Sequence, residues 1–448
     1  MILGALQEYA AALRSYRLPP KDLQALQERR LVSLISYAFN RVPYYHNLMR
    51  ARHLSPDDIS EIRDLQKLPM LTREIIQENS PRGMLARGIH PTSVRHTSGT
   101  TGKPLTIVRG PETDRRILAL KLRRMHLTGV RWWEKAVYIP YWGSDVAGRA
   151  EVHGPKPSKM MKDAFHLPMR ARDVVLGYRV VPLGPDNISG VARFVVRYRP
   201  SILRARPSYL QRTGRIIREM DPSFQVSKIF TEGELLTGGT RSDLQAIYGA
   251  EVYDEYGSAE FSGLGFECRQ HDGIHLYSDY FAFEFIGRDG QPAEAGEAAE
   301  LLVTGLVDDA MPLIRYRLGD RVVRQEGGVC GCGSYLPRLK SIEGRMSDGL
   351  IIPGRDMIAP GSVIQYLENT LGLRRYQMVQ EGDAQVLLRV DKHDLNEATV
   401  SSVREYLQFI FGGEVTLRTE LWDEKEMPIK FRQVMRAQTF ALKDRVNA

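Results

Sequence analysis

Short apolar segments alternate with helical patterns from residue 92 to about residue 325. KAVYIP, SKIFTEG and AELLVTGL have the length and composition of buried strands, whereas TDRRILALKLRRMHL and RSDLQAIYG carry apolar residues at helical spacing. This alternation predicts an α/β fold with a largely parallel sheet. In such folds, ligands bind at the carboxyl ends of the strands.

The two ends of the chain have other patterns. Residues 1–90 are predicted to be mainly helical, because LVSLISYAFN has apolar positions at helical spacing and Thr72 precedes acidic residues as a helix start. Near the C-terminus, strand-like YQMVQEGDAQVLLRVD precedes helical ATVSSVREYLQFIFG, which predicts a small α+β domain. With 448 residues and 43% hydrophobic content, the chain is long enough for more than one domain. We predict a large domain at 1–345 and a small one at 346–448.

The stretch RHTSGTTGKPLTI, residues 95–107, has the composition of a phosphate-binding loop. Glycine lets the backbone approach a ligand closely, consecutive amides and hydroxyls form a donor surface for phosphate, and Lys103 adds positive charge. The spacing is not that of a Walker loop, because Gly99 and Gly102 are too close together and Pro104 follows the lysine. On its own, the loop is also compatible with a flexible turn between strands.

Charge and composition narrow the class of protein. The net charge of +8 is spread along the chain and suits anionic small ligands as well as nucleic acid, but no RNA-binding signature is present. The basic segment from Gly148 to Pro182 is either a solvated surface or a contact for an anionic substrate or cofactor. Charges near the N-terminus interrupt any signal-peptide core, and no apolar run has bilayer-spanning length. Three cysteines argue against a disulfide framework, so a cytoplasmic protein without a membrane partner is expected.

Further polar clusters follow the loop in a fixed order: YDEYGSAE (253–260), PLIRYRLGD (312–320), EGRMSDG (343–349) and PIKFRQV (428–434). Together with the loop, this order resembles the adenylate-forming superfamily. Within it, DEYGSAE, the following GLGFEC and PLIRYRLGD are similar to the phenylacetate-CoA ligase-like branch. The resemblance covers roughly residues 20–440. It implies an α/β domain with a helical N-terminal region and a small mobile C-terminal domain.

The resemblance implies roles for the residues around the nucleotide. Tyr256 and the adjoining Gly257 would lie near adenine, opposite a turn that contains Glu234. Glu260 would bind Mg²⁺, which prefers oxygen ligands. The loop would hold the β- and γ-phosphates of ATP while a carboxylate attacks the α-phosphorus, through Ser98, Gly99, Thr100, Thr101, Gly102 and Lys103.

The later motifs would complete the site. By the resemblance, Asp320 would accept hydrogen bonds from the ribose hydroxyls, Arg345 would assist at the nucleotide, and Lys430 would be the catalytic lysine that bridges the substrate carboxylate and the α-phosphate. Ile429 stands where the family usually has glycine, so Lys430 is also compatible with a surface lysine, and Asp320 with a helix cap or ion pair. Asp348 is the predicted hinge about which the small domain would swing.

The cysteines give a second, separable hypothesis. Cys268, Cys330 and Cys332, together with His275, supply the ligands of a tetrahedral Cys₃His zinc site. His275 is preferred to His271, because GIHL matches the branch. Some members carry this constellation, which would be structural and without an open coordination position. The alternative is a set of buried, unligated thiols with a surface histidine.

The resulting hypothesis is an ATP-dependent ligase that converts a carboxylic acid to an acyl-adenylate and then transfers the acyl group to the thiol of coenzyme A. An aryl or arylacetic acid is favoured, with Tyr141, Trp142 and Phe261 as pocket residues, although such residues are often plain core.

Two alternatives stay open at the level of sequence. In one, the acceptor is a carrier protein, an amine or another nucleophile, or AMP itself is transferred to a cofactor. In the other, the chain is a non-catalytic or nucleic-acid-binding protein. Retention of Lys103, Glu260, Asp320 and Lys430 argues against that second alternative. The oligomeric state is open, with a homodimer as one option.

Overall fold

The computed structural model describes the chain in several stretches. The described residues are 2–97, 104–131, 133–140, 179–181, 187–353, 357–392, 394–422 and 431–437. None of the described helices is both long and apolar enough to cross a membrane.

Helices dominate the N-terminal region, as predicted. They are α1 Ile2–Ser15, α2 Pro20–Arg41, α3 Pro43–Ala51 and α4 Arg73–Asn79, with short 3₁₀ turns at Pro56–Asp58 and Ile62–Lys67. Proline at the first position begins α2 and α3, where its missing N–H costs no hydrogen bond. Thr72 caps α4 as expected, because its side chain accepts a hydrogen bond from the Ile75 amide at 3.4 Å.

The later helices confirm the helical patterns in the sequence. They are α5 Pro111–Leu127, α6 Ile188–Tyr198, α7 Pro207–Met220, α8 Gly238–Tyr248, α9 Pro360–Gln365 and α10 Glu397–Phe411. Gly249 and Gly412 follow α8 and α10 at φ 61° and 70°, the left-handed conformation that commonly ends a helix.

A short hairpin and one large sheet contain the strands of the large domain. The hairpin pairs β1 Ser93–His96 with β2 Thr106–Arg109. The sheet strands are β3 Ala136–Ile139, β4 Arg179–Val180, β5 Ile202–Ala205, β6 Lys228–Glu232, β7 Glu251–Ser258, β8 Ser262–Glu267, β9 Ile274–Leu276, β10 Phe281–Ile286, β11 Ala298–Gly305, β12 Tyr316–Arg324 and β13 Arg338–Arg345. Their order is β10-β11-β12-β13-β9-β8-β7-β6-β5-β3-β4.

The strand directions differ in part from the prediction. From β4 through β3, β5 and β6 to β7, neighbouring strands are parallel, whereas every pair from β7 to β10 is antiparallel. The expectation of a largely parallel sheet is therefore wrong for its second half. The reason is the connections: β7–β8, β8–β9, β10–β11 and β11–β12 follow each other without an intervening helix, and parallel neighbours need a longer crossover.

Helices cover both faces of the parallel half. One face packs Val137, Leu203, Ile229 and Val252 against α6, α7 and α8. On the other side, α1 lies against α5, and α5 lies against β8. The opposite face of the parallel strands is therefore the one that faces α5.

The C-terminal residues form a separate small sheet. Its strands are β14 Tyr376–Gly382, β15 Gln385–Val390, β16 Thr416–Leu421 and β17 Val434–Arg436, in the order β16-β15-β14-β17. Side chains of α9 and α10 share a hydrophobic core with this sheet. The last strand of the large sheet ends at Arg345, and the domain boundary after residue 345 stays a prediction.

Candidate active site

A large cavity opens where the parallel strands end. Its volume is about 910 Å³, and residues at the carboxyl ends of β3, β5, β6 and β7 line it. Further walls come from the ends of β12 and β13, from α5 and from the C-terminal domain. The cavity therefore lies where the α/β pattern predicted ligand binding.

Three of the predicted nucleotide residues meet on the wall of this cavity. Asp320 and Arg345 are register partners on β12 and β13, and the Arg345 Nε lies 3.3 Å from the Asp320 Oδ1. The Tyr256 hydroxyl donates a hydrogen bond of 2.8 Å to the other carboxylate oxygen of Asp320. Burial, followed by the charge of Asp320, holds the pKa of Tyr256 well above its usual range, so Tyr256 remains a donor. The carboxylate is thus oriented by two partners and retains lone pairs for a ligand.

A second tyrosine orients Glu260. The Tyr316 hydroxyl donates to the Glu260 Oε1 at 3.0 Å, and Glu260 lines the cavity. The carboxylate of Glu260 fits Mg²⁺, because a carboxylate that accepts one hydrogen bond still offers oxygen ligands to a hard cation. Two hydrogen bonds therefore connect the YGSAE and RYRLGD motifs: one from Tyr256 to Asp320, and one from Tyr316 to Glu260.

The predicted turn residue Glu234 is a contact between the two domains. Its carboxylate accepts hydrogen bonds from the Ser208 amide at 3.2 Å and from the Phe431 amide at 3.1 Å. Burial raises the pKa of Glu234. Glu234 therefore lies where the large domain meets the segment that follows Lys430.

Gly257 permits the tight hairpin between β7 and β8. A Cβ atom at this position would lie 2.2 Å from the backbone oxygen of Ser262, so only glycine fits without a shift of the strands. This close approach places Tyr256 and Glu260 on the same cavity wall.

The loop 98–103 lies outside the described residues, but its two ends are defined. The Thr97 amide donates to the Leu105 oxygen at 2.9 Å, and the Leu105 amide donates to the Thr97 hydroxyl at 2.9 Å. Arg73 also donates to this hydroxyl at 3.0 Å. His96 and Thr97 line the cavity, so the chain enters the predicted phosphate loop at the cavity wall.

The other predictions have mixed outcomes. Lys430, Tyr141 and Trp142 lie outside the described residues, as does nearly all of the basic segment 148–182. Phe261 is described: it is fully buried, packs edge-to-face on Phe281 and Tyr316, and is not among the described residues that line the cavity, so its role in an acyl pocket stays a prediction. The alternation of the hairpin turns its ring into the hydrophobic core.

Asp348, the predicted hinge, carries a second contact between the domains. The Arg432 Nη1 lies 2.5 Å from the Asp348 Oδ1, and both side chains are largely buried. Asp348 ends the 3₁₀ turn Met346–Asp348, directly after the last strand of the large sheet. A bend of the chain at Asp348 stays a prediction.

Five charged residues from α5 and the adjacent parallel strands line one part of the cavity. We call this group the charged cluster: Lys121, Arg124, Arg204, Glu232 and Glu255. Arg204 Nη2 lies 2.5 Å from Glu232 Oε2 and 2.8 Å from Glu255 Oε2, and Arg124 pairs with the other oxygen of Glu255. Desolvation, followed by the charges of Arg204 and Arg124, lowers the pKa of Lys121 to about 7.

The cysteine and histidine side chains of the metal hypothesis come together away from the cavity. The ligand atoms of Cys268, His275, Cys330 and Cys332 all lie within 4.8 Å of one another. The sulfur atoms of Cys268 and Cys330 are 3.7 Å apart, too far for a disulfide. Two thiolates on one tetrahedral Zn²⁺, with Zn–S of about 2.3 Å, would be about 3.8 Å apart.

The neighbours of the cysteine and histidine side chains differ from residue to residue. Cys332 Sγ lies 3.5 Å from His275 Nε2, and hydrogen bonds from Cys268, His275 and Tyr16 lower the pKa of Cys332. His275 is fully buried, whereas His271 instead pairs with Glu251 and Glu267. The preference for His275 over His271 therefore agrees with the geometry.

Comparisons with known proteins agree with the motifs. No protein-family model matches the sequence. The phenylacetate-coenzyme A ligase of Thermus thermophilus is 28% identical over 352 residues, which are 75% of this chain and 73% of that protein. The enzyme of the same name from Escherichia coli is 29% identical over 349 residues, 74% of this chain and 73% of that protein. The chain is thus similar to these phenylacetate-CoA ligases over about three quarters of its length.

The fold of the chain is also found among solved structures. A 2-hydroxyisobutyryl-CoA ligase, crystallised in the postadenylation state with R3-HIB-AMP, superposes with a TM-score of 0.76. The match covers 97% of this chain and 94% of that one, at 20% sequence identity. The chain thus shares the fold of that CoA ligase over nearly its whole length.

Two features of the site were missed by sequence reasoning. Tyr316 lies within the RYRLGD motif, but nothing in the motif indicates that its hydroxyl reaches Glu260. The charged cluster joins residues from α5, β5, β6 and β7, so its members become neighbours only in the folded sheet. The sequence contains one signal of this cluster. Arg204 is a charged residue within the otherwise apolar strand segment ILRA, near the strand end where ligands bind in such folds.

Proposed function

We propose that the chain activates a carboxylic acid with ATP to form an acyl-adenylate, releases pyrophosphate, and then transfers the acyl group to the thiol of coenzyme A. The observation that carries this proposal is the joint placement of Tyr256, Asp320, Arg345 and Glu260 on one cavity wall. The homologous enzymes named above are phenylacetate-CoA ligases, and an aryl or arylacetic acid is the proposed substrate class.

The described residues have complementary tasks in the first step. Asp320, oriented by Tyr256 and Arg345, would accept hydrogen bonds from the ribose hydroxyls, and the Tyr256 ring would lie near adenine. Glu260 would hold Mg²⁺, which neutralises phosphate charge when bound. Fixing the nucleotide in this way brings the α-phosphorus within reach of the acid carboxylate, and the attacking oxygen displaces pyrophosphate.

Two further groups belong to the proposal. The loop 98–103, which follows the cavity-lining residues His96 and Thr97, would hold the β- and γ-phosphates with Lys103. Lys430, immediately before the described Phe431, would bridge the acid carboxylate and the α-phosphate. Asp348 would be the hinge that lets the small domain rearrange for thioester formation.

The proposal is tested by pyrophosphate release from MgATP over a panel of aryl, arylacetic, aliphatic and amino acids, with hydroxylamine as a trap. We expect at least one acid to yield both pyrophosphate and a hydroxamate, and Lys430→Ala to lose both. Added coenzyme A should then convert the same acid to a thioester. Adenylate formation without thioester would indicate another acceptor, such as an amine or carrier protein. Absence of pyrophosphate release with every acid would contradict the proposed first step.

We also propose that Cys268, His275, Cys330 and Cys332 bind a structural Zn²⁺. The donor set and the sulfur–sulfur distance of 3.7 Å fit a tetrahedral site, and all four protein ligands together leave no open position for catalysis. Elemental analysis after purification without chelators should give about one zinc per chain. Cys332→Ser should lower both the zinc content and the melting temperature. A metal-free wild-type protein with an unchanged melting temperature after added zinc would refute this proposal.

A further inference from the structure

The part of the cavity that remains for the acid lies beyond the nucleotide residues. Side chains alternate along the parallel strands, and one face carries Tyr138, Arg204, Glu232 and Glu255 near the strand ends. The same face carries a small apolar group one step earlier on each strand, formed by Ala136, Ile202, Phe230 and Tyr253. Helix α5 covers this region and adds Lys121 and Arg124 from successive turns.

Charged side chains line this part of the cavity, hereafter the chamber, whereas the ring of phenylacetate is apolar. Arg204 bridges Glu232 and Glu255, and its guanidinium also lies 5.1 Å from the centre of the Tyr138 ring. Arg124 is only 8% exposed and pairs with Glu255. An apolar ring placed among these groups would remove their solvent without offering a polar contact, which is unfavourable.

The charge balance of the cluster depends on Lys121. Arg124 and Arg204 balance Glu232 and Glu255 while the lysine is neutral, and its protonation gives the described cluster one positive charge in excess. The two arginines act against the charged form of Lys121, and Glu255 favours it. Among the described residues, the buried Nε of Arg124 has no hydrogen-bond acceptor. An additional anion would therefore complete the set.

We propose that the acid carries a second anionic group at the end remote from its reacting carboxylate, and that Lys121, Arg124 and Arg204 bind this group. The inference rests on the proposed function, because it assumes that the reacting carboxylate is directed to the nucleotide side of the cavity. Glu232 and Glu255 hold the two arginines in position.

A matched set of acids tests this inference. Phenylacetate, 4-hydroxyphenylacetate and 4-carboxyphenylacetate differ only at the remote end, and hexanoate, 6-hydroxyhexanoate and hexanedioate repeat the comparison on a flexible chain. We expect kcat/KM for pyrophosphate release to be about ten- to hundredfold higher for the diacid than for the monoacid in at least one series. Preference for the monoacid or the hydroxy acid in both series would overturn the inference and leave the proposed function intact.

Substitution of Lys121 identifies the chamber as the origin of the preference. Lys121→Met keeps an unbranched side chain that is one atom shorter and removes the charge, so the ratio of kcat/KM between diacid and monoacid should fall about tenfold or more. Lys135→Met is the matched control, since Lys135 is exposed, donates to the Tyr198 oxygen and does not line the cavity. An equal ratio in the wild type and Lys121→Met would show that the preference arises elsewhere.

Direct binding separates this inference from the proposed chemistry. Lys121 is mostly neutral at pH 8, and a bound anion would raise its pKa, so calorimetric titration with 4-carboxyphenylacetate and hexanedioate should show proton uptake in buffers of different ionisation enthalpy. Arg204, Arg124, Glu232 and Glu255 are the charged groups around it. Uptake that disappears in Lys121→Met supports the anion site even if no acid releases pyrophosphate. Binding no tighter than that of the monoacids, or uptake unchanged in the variant, would overturn it.

Discussion

At the scale of single residues, two tyrosine hydroxyls determine how two carboxylates face the cavity. Tyr256 donates to Asp320 and Tyr316 donates to Glu260, so each motif supplies the partner of the other. A hydrogen-bonded carboxylate is held in one orientation, and its remaining lone pairs are directed by that contact. Both hydroxyls are therefore positioning groups for the proposed nucleotide and metal contacts.

Tyr316→Phe should weaken the binding of magnesium. The ring contact with Phe261 is kept, and only the hydroxyl that orients Glu260 is removed. Loss of such an outer partner commonly lowers metal affinity by about tenfold or more, so the Mg²⁺ concentration for half-maximal pyrophosphate release should rise about tenfold. Tyr335→Phe, at an exposed tyrosine outside the cavity, is the control. Equal magnesium curves for the wild type and Tyr316→Phe would contradict the role given to this contact.

Sequence reasoning at this scale succeeded where a motif carries its own geometry. Asp320 and Arg345, both assigned to the nucleotide from their motifs, are register partners on adjacent strands and line the same cavity. The burial of Phe261 was not foreseen, since the sequence does not show which side of a tight hairpin faces the core. The charged cluster was missed because Lys121 and Glu255 are far apart in the chain and only the packing of α5 on the sheet joins them.

At the scale of elements, the β7–β8 hairpin determines the shape of the nucleotide wall. Its turn follows Gly257, where the backbone of Ser262 approaches closely. The hairpin is also where the sheet changes from parallel to antiparallel. Local sequence predicted strands on both sides of this point, but strand direction depends on the length of connections and on neighbours, which the strand pattern alone does not contain.

Gly257→Ala should disturb both stability and nucleotide binding. The added methyl would meet backbone rather than a flexible side chain, and relief requires a shift of the hairpin that carries Tyr256. We expect a lower melting temperature and a raised KM for ATP. Gly190→Ala is the matched control, because Gly190 lies in α6 with no atom within 4 Å of the added Cβ. That variant should be as stable as the wild type or more stable by up to about 1 kcal/mol. Normal melting and KM in Gly257→Ala would refute the steric account.

At the scale of the whole molecule, polar contacts join the two domains beside the cavity, in addition to the packing of Leu235 on the core of the small domain. Arg432 pairs with Asp348, and the Phe431 amide donates to Glu234 across the cavity. The segment that carries both contacts directly follows Lys430. Sequence reasoning predicted a small C-terminal domain and a hinge near residue 348, but it contained no information on which contacts hold the two domains together.

Arg432→Ala should affect the two half-reactions unequally. Losing a largely buried charged pair destabilises the arrangement seen here, so acid-dependent exchange of pyrophosphate into ATP should fall about tenfold. Transfer of the acyl group from preformed adenylate to coenzyme A, measured in a single turnover, should fall less. Arg418→Ala is the control, because this arginine belongs to the same domain and its pairs are largely exposed. An equal loss in both half-reactions would argue against a domain rearrangement governed by this pair.

The N-terminal helices have a consequence for the way the chain is made. Ser15 and Tyr16, at the end of α1, contact Asp279 and Cys332, and the core around α2 is completed by Ala282, Leu306 and Ile314. These partners leave the ribosome some 250 residues or more after the helices, which at about 5–20 residues per second is on the order of ten to sixty seconds. Throughout that interval, the apolar faces of α1 and α2 lack their final cover. Early recognition of nascent chains by chaperones is therefore a requirement that the architecture itself imposes on the cell.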